Sequence, residues 1–225
     1  MKKEKNLLYN SDAYYSDNDY YELFSLREDS LNKIDNYFKS LGHFDVILDA
    51  GCGTGKYLNT LESISSNYIG IDLSNEQLKK AKLKVNKKNT KLINANLTNI
   101  PLEDNSVDLI VSCWVLGTIT DTKERIKAVE ELRRVLKPNG KIILIENDEF
   151  AEFEIIRNHH IDGKTRIYNE WLNNNGFSKL KSFDTKFIFG DLLEAQQCIN
   201  VIYGDEISRK VKSNVIEHKI LIFES

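Results

Sequence analysis

Val46-Ile47-Leu48-Asp49-Ala50-Gly51-Cys52-Gly53-Thr54-Gly55-Lys56-Tyr57 is the stretch on which the fold turns. The apolar run Val46–Leu48 ends at an acid and then passes through three glycines at alternate positions. Beyond them Tyr57, Leu58, Leu61 and Ile64 recur at three- and four-residue steps, the spacing of one helix face. A short apolar run bounded by turn residues reads as a buried strand of a parallel sheet. Strand, glycine turn and helix together form the entry to a nucleotide-type site in a doubly wound sheet. Glycine suits the turn because it accepts unusual φ/ψ and because a ligand can touch backbone where no Cβ stands. A dinucleotide fingerprint, G-x-G-x-x-G, laid on Gly51 and Gly53 requires glycine at 56, where the chain has Lys56. That spacing disfavours a nicotinamide-dependent oxidoreductase. A plain strand-to-helix turn with no ligand stays open as the simpler alternative.

Outward from this stretch, strand and helix patterns alternate. Tyr68-Ile69-Gly70-Ile71-Asp72 reads as a second strand ending in an acid, followed by a basic helix over 75–88 with Leu78, Ala81 and Val85 as its apolar stripe. A carboxylate at the tip of the second strand of a nucleoside-binding α/β fold can accept hydrogen bonds from both ribose hydroxyls, each worth roughly 1.5–3 kcal/mol. The alternative for Asp72 is helix capping, shared with Ser74. Gly70 is expected to let the adenosine approach the strand. Lys91–Ala95, Asn105–Ser112 and Lys141–Glu146 read as strands three to five, and Asp121–Leu136 as an amphipathic helix broken by Lys137-Pro138-Asn139-Gly140. Before the first strand, one helix is predicted from Ser25 to Leu41, with Gly42 as its C-cap. After the fifth, the pattern predicts an irregular loop over 148–163, a helix over 165–175, a sixth strand over 179–189, helical sequence over 191–212 and a last strand ending Ile220–Phe223. Alternation of this kind predicts an α/β fold with a mostly parallel sheet.

Bulk properties restrict the function classes. At 225 residues, 41% hydrophobic and 29% charged, the chain is sized for one globular α/β domain. A net charge of −3 gives no general attraction to nucleic acid phosphates, and the lysines of 75–88 lack the interleaved aromatics of an RNA surface. Cys52, Cys113 and Cys198 are scattered, which argues for a reducing compartment and against a zinc site. Residues 1–10 hold no apolar core of a secretory signal, and no run of 18 apolar residues exists, so a cytoplasmic chain without membrane spans is expected.

The pattern D-x-G-x-G-x-G from Asp49 to Gly55, the acid at Asp72 and the run Glu131-Leu132-Arg133-Arg134-Val135-Leu136-Lys137-Pro138-Asn139-Gly140-Lys141 occur in order. Together they resemble the class I S-adenosylmethionine-dependent methyltransferases, over roughly residues 44–146. The resemblance implies a Rossmann-like, doubly wound, seven-stranded sheet, mostly parallel with an antiparallel last strand, plus lid segments. It implies one domain: cap and helix over 1–43, a cofactor core over 44–146, and substrate-side segments over 147–225. It implies S-adenosylmethionine as cofactor, S-adenosylhomocysteine as product, and a small-molecule acceptor. Asp49, Gly51, Cys52, Gly53 and Gly55 would face the methionine end, Asp72 would hold the ribose, and Leu73 would also bind the cofactor. Asn96 and Leu97 would meet the adenine, with Asn96 standing where the family usually has an aspartate. Ser112, Cys113 and Trp114 would lie beside the reacting methyl, and Tyr14 would close over the cofactor from the N-terminal segment. Gly117 stands where many relatives carry a histidine, so a base at that position is missing. Trp114 has core packing as its alternative, Asn96 a turn, and the N-terminal tyrosines a tail with some aromatic packing.

No catalytic residue is fixed by the resemblance. His159, His160 and Tyr203 are candidates, with an ordinary polar loop as the other reading of the histidine pair, and no metal site is expected. The lid is expected to comprise 147–164, 191–212 and the N-terminal tyrosines. The acceptor atom and the oligomeric state are not specified by any motif. A non-catalytic relative that binds cofactor or a partner remains a rival, as does an RNA or protein methyltransferase, although no N-P-P-Y or D-P-P-Y tetrapeptide follows the fourth strand.

Overall fold

The computed structural model describes residues 19–225. Helices α1 (Asp19–Arg27) and α2 (Lys33–Lys39) precede β1 (Phe44–Ala50), α3 (Leu58–Ser63), β2 (Ser65–Asp72), α4 (Asn75–Lys82) and β3 (Thr90–Asn94). Then come β4 (Val107–Cys113), α5 (Thr122–Val135), β5 (Leu136–Asn147), and the helices α6 (Glu152–Ile156), α7 (His159–Asp162) and α8 (Lys164–Asn174). The chain ends with β6 (Ser178–Ile188), α9 (Leu192–Tyr203), α10 (Asp205–Ser208) and β7 (Val215–Glu224). One seven-stranded sheet has the order β3-β2-β1-β4-β5-β7-β6. The first five strands are mutually parallel, and β7 runs antiparallel between β5 and β6. The predicted α/β sheet with its antiparallel last strand is therefore present. No described helix is long and apolar enough to cross a membrane.

Strand side chains alternate between faces, and the core divides accordingly. Leu48, Ile110, Ile142 and Leu144 pack with Ala128, Val129, Leu132 and Val135 of α5. Their neighbours Ile47, Leu109, Val111, Ile143 and Ile145 pack with Ile34 and Phe38 of α2 and Leu58 and Leu61 of α3 on the other face. Helix α5 starts cleanly because Asp121 accepts the N–H groups of Lys123 and Glu124 at 2.8 and 3.0 Å, a cap worth about 1 kcal/mol.

A third apolar cluster stands apart from both. Residues 184–188 of β6 pair with 215–219 of β7, beyond the last β5–β7 pair at Asn147 and Ile220. This two-stranded extension rises past the carboxyl edge of the sheet. Phe187 and Ile216 on it pack with Phe24 of α1, Phe153 and Ile156 of α6, and Cys198, Ile199 and Ile202 of α9. The result is a cap with its own buried side chains.

Several local expectations are corrected. The single helix over 25–41 is two, because the Asp29 carboxylate accepts the N–H groups of Lys33 and Ile34 at 3.0 and 2.7 Å and starts α2 afresh. Thr185, 156 positions away, donates its hydroxyl to the same carboxylate. The basic helix stops at Lys82, not 88, since the Asn86 N–H turns back to the Glu62 carboxylate and the Lys87 ammonium to the Ser65 carbonyl. Strand β5 begins at Leu136, which pairs with Val107, and the Lys137–Gly140 stretch is absorbed as a register shift before Leu109 pairs with Lys141. The segment 148–163 holds two short helices in place of an irregular loop.

Candidate active site

The carboxyl ends of β1, β2, β4 and β5 open into one cavity of about 330 Å³, roofed by α1, α9 and the α6–α8 segment. Its floor is the glycine loop. Gly51, Gly53 and Gly55 have φ of +86°, +52° and +75°, a region that penalises any Cβ. The N–H groups of Gly51 and Cys52 both donate to the Ile71 carbonyl, at 2.7 and 3.0 Å, and that of Gly53 to Asp72 Oδ2 at 2.9 Å. The three glycines differ in what surrounds them. A Cβ on Gly51 would stand 2.4 Å from Val115, and one on Gly55 would press on Leu58 and Ala81. One on Gly53 meets nothing within 4 Å. Gly53 is thus the open lip of the cradle, while Gly55 lies off the cavity wall and seats the loop on α3 and α4. Gly70 also differs from expectation: its missing side chain makes room for Leu92 and the Cys52 thiol, not for a ligand.

Asp72 is buried at the tip of β2 and lines the cavity. Its Oδ1 accepts the Ser74 N–H at 2.8 Å, while the Ser74 hydroxyl itself caps α4. The carboxylate therefore fastens loop, strand and helix start at one point. Leu73, Asn96 and Leu97 line the same end. Asn96 Oδ1 accepts the Thr98 N–H at 3.0 Å, so the turn reading of Asn96 is realised and one oxygen lone pair remains. Ser112 is not on the wall: its buried hydroxyl donates to the Ala50 carbonyl at 2.8 Å and ties β4 to β1. Cys113 and Trp114 do line it. Trp114 adopts φ +55°, donates its indole N–H to Asn147 at 2.7 Å, and carries the Lys56 ammonium 4.7 Å from its ring. Cys52 also faces the cavity, whereas Tyr14 lies outside the described residues.

Three buried carboxyls on the wall are held above the ordinary carboxylate range. Burial pushes Asp49 up to about 7 against the hydrogen bond from Tyr68 at 2.8 Å, with Asp72 adding to the rise. Burial likewise puts Glu28 at about 7, although Lys56 lies 3.5 Å away. Glu146, at the end of β5, is pushed by burial to about 8 despite the Tyr168 hydroxyl donating to it at 2.7 Å. Motif reading missed Glu28, Lys56 and Glu146 as wall residues: Lys56 reads only as a missing third glycine, Glu146 only as the end of a strand, and Glu28 lies in no motif.

The histidine pair separates. His160 is exposed and off the wall. His159 is buried, lines the cavity, and sets Nδ1 at 3.1 Å from Glu154 and 3.2 Å from the Thr165 hydroxyl. Arg157 donates to the other oxygen of Glu154 and, at 3.3 Å, to the Tyr203 hydroxyl, which also lines the cavity. Burial alone would raise Glu154, but Arg157, His159 and Thr165 outweigh it and hold the carboxyl at about 2. The polar-loop reading of His159 thus gives way to a buried charged cluster. Burial holds the Tyr203 phenol at about 12. Among the described residues no group of three or more His, Cys, Asp or Glu side chains gathers as a metal site would.

The family model described as a methyltransferase domain matches residues 48–144, which run from within β1 to within β5 and include the glycine loop and Asp72. Those residues are similar to a methyltransferase domain. Methyltransferase sequences from distant hosts align over about half of the chain. An Arabidopsis thaliana tRNA (carboxymethyluridine(34)-5-O)-methyltransferase is 36% identical over 112 residues, 50% of this chain and 26% of that protein. A Lactococcus lactis demethylmenaquinone methyltransferase is 36% identical over 106 residues, 44% of this chain and 41% of that one. An uncharacterized protein of Methanocaldococcus jannaschii is 33% identical over 138 residues, 55% and 56% of the two chains. The chain thus spans about half or less of the length of these curated relatives. A SAM-dependent methyltransferase of Aquifex aeolicus shares the fold with TM-score 0.53 over 88% of this chain and 92% of that one, at 20% identity.

S-adenosylmethionine is the cofactor that the match to a methyltransferase domain implies, and the residues present suit it. Gly53 leaves open space where a Cβ would stand. Among the described residues Asp49 is a buried carboxyl with a phenol but no cation among its hydrogen-bond partners, the setting a cationic ligand completes.

Proposed function

We propose that this chain transfers the methyl group of S-adenosylmethionine to a small-molecule acceptor held beneath the cap. One observation carries the reading: a single cavity joins the glycine loop and Asp72 at one end to cap residues such as Tyr203 and His159 at the other. Asp72 would hold the ribose, Asp49 and the loop the methionine end, and Leu73, Asn96 and Leu97 the adenine side. Cys113 and Trp114 would border the reacting methyl. Bound there, the cofactor supplies an electrophilic methyl on a sulfonium. The remaining task of the chain is to hold a nucleophile in line at about 3 Å and exclude water. Phe24, Trp114 and Tyr168, with Ile202, give the cavity apolar and aromatic walls for that purpose.

Its size supports a small acceptor. Small-molecule sites run about 300–1,000 Å³, and this one is near the lower end at about 330 Å³. The relatives' names include both a quinone and a tRNA methyltransferase. Charge favours the former. On α4, the basic helix, Lys80 pairs with Glu22 at 3.1 Å, and Lys84 just beyond its end pairs with the same carboxylate at 3.3 Å. The acids of α1 thereby neutralise part of the chain's most basic stretch. The three free cysteines fit a reducing compartment, and we place the chain in the cytoplasm.

Calorimetric titration with S-adenosylhomocysteine tests the donor end, and a chain that does not bind it refutes the reading. Tritiated S-adenosylmethionine supplied with either the small-molecule or the RNA fraction of a cell extract tests the acceptor. Label entering RNA alone would overturn the small-molecule acceptor. Binding without turnover on any fraction would instead mark a non-catalytic relative.

A further inference from the structure

The cluster formed by Glu154, Arg157, His159 and Thr165 is left without a task by the donor chemistry, yet three of these side chains contact the imidazole directly or through the same carboxylate. Thr165 and Arg157 both donate to Glu154, so the Thr165 proton is directed at the carboxylate. The two groups within reach of His159 Nδ1 are then a carboxylate oxygen at 3.1 Å and the lone pairs of the Thr165 hydroxyl at 3.2 Å. Both are acceptors. Nδ1 must therefore carry the ring proton, which leaves Nε2 as the basic nitrogen. Among the described residues Nε2 has no hydrogen-bond partner and is not among the fully buried polar atoms left without one, and His159 itself lines the cavity.

We propose that His159 is the general base of the transfer, that Glu154 is the positioning residue fixing its tautomer, and that the acceptor is accordingly a hydroxyl compound whose O–H proton must be removed. This rests on the methyl-transfer reading above. The acceptor oxygen forms its bond to the methyl carbon as the S–C bond breaks. The S–C electron pair returns to sulfur, leaving a neutral thioether. The acceptor proton passes to Nε2, and Glu154 at 3.1 Å stabilises the imidazolium until it releases that proton to solvent.

The other cavity groups are less suited. Tyr203 holds its proton too tightly, Glu28 is paired with Lys56, and Glu146 accepts from Tyr168. The charged and titratable groups around His159 include Glu154 from α6, Arg157 just past its end, His160 and Asp162 on its own helix, Lys164 from α8 and Tyr203 from α9. Lys164 pairs with Asp162 at 3.0 Å, and Arg157 with Glu154. Neither cation is thus left to repel the protonated ring at close range.

Two measurements on the full chain decide the matter. Ring-nitrogen NMR, with His159 assigned from the His159→Asn variant, should show the neutral ring as the Nδ1–H tautomer, turning mixed in Glu154→Gln. A wild-type Nε2–H tautomer overturns the proposal whatever the acceptor. With tritiated S-adenosylmethionine and the small-molecule fraction of a cell extract, His159→Asn should transfer label at least about 100-fold more slowly at pH 7. Its affinity for S-adenosylhomocysteine should be unchanged, and its deficit should shrink as rising pH ionises the acceptor directly. A variant as fast as wild type, or a methyl thioether, methyl ester or methylamine product, overturns it. Failure of the wild-type chain to bind S-adenosylhomocysteine would instead refute the methyl-transfer reading, with the tautomer still deciding the role of Glu154.

Discussion

The carboxylate of Asp72 accepts the backbone N–H of Gly53 at 2.9 Å across 19 residues of chain. The side chain proposed to hold the ribose therefore also shapes the loop proposed to hold the methionine end. Loss of Asp72 should act on both. In Asp72→Ala the Gly53 and Ser74 N–H groups lose a charged acceptor each, a penalty of about 1.5–3 kcal/mol per bond. Chemical denaturation should register that loss, and calorimetry a fall of more than tenfold in affinity for S-adenosylhomocysteine. Asp72→Asn, which retains one acceptor oxygen, should recover part of the stability but little of the binding.

Gly51 and Gly53 should respond differently to alanine. At Gly51 the new methyl meets Val115 at 2.4 Å, so Gly51→Ala should lower the melting temperature markedly. At Gly53 no neighbour stands within 4 Å, and the cost is the backbone strain of a positive φ, about 1–2 kcal/mol. Gly53→Ala should remain folded and lose cofactor affinity. A folded Gly53→Ala with wild-type affinity would show that the cofactor does not approach this lip.

Cofactor affinity should rise with pH. Burial, with Asp72 adding to it, holds Asp49 at about 7 in the ligand-free fold, far above its unfolded value. The folded state thus keeps a proton that the unfolded chain has lost, so this group's contribution to stability is complete below about pH 4 and disappears as pH climbs through about 7. A cationic ligand favours the ionised carboxylate and expels that proton. Binding should therefore tighten between pH 6 and 8 and release a proton, measurable by calorimetry in buffers of different ionisation enthalpy. Asp49→Asn should flatten the profile.

His218 should have the opposite effect on stability. It is buried between Phe153 and Phe187, with ring centroids 5.3 and 4.9 Å away, and neither nitrogen has a hydrogen-bond partner. Burial pulls it down to about 3. The unfolded chain takes up this proton first, so stability is lost as pH falls from about 6.5 toward 3. His218→Phe suits the surrounding rings and removes that slope. Relative to wild type it should gain about 2 kcal/mol at pH 5, and less at pH 8, in urea unfolding.

What was readable in advance was local in sequence. The glycine loop, Asp72 and the 131–141 run announce themselves within a few residues, because strand, turn and cap preferences act over that range. What was not readable depends on partners far along the chain. Asp29 splits a helical pattern through contacts that include Thr185, and no window of sequence around Asp29 contains Thr185. Glu28 reaches the cavity because α1 folds over the loop to set it beside Lys56. Ser112 stands near the carboxyl end of β4, where a wall residue is expected, yet its hydroxyl turns inward to the neighbouring strand. Of the paired histidines, burial singles out His159, and that burial comes from the helices of the cap.

The extension of β6 and β7 beyond the sheet edge has a bearing on ancestry. It gives the roof a foundation of its own, with Phe187 and Ile216 anchoring α1, α6 and α9 independently of the apolar layers under the glycine loop. The family match covers 48–144 and ends before the roof segments contributed by β5's successors. Likeness over those residues is therefore likeness of the floor, and it leaves the roof, where an acceptor would sit, unmeasured.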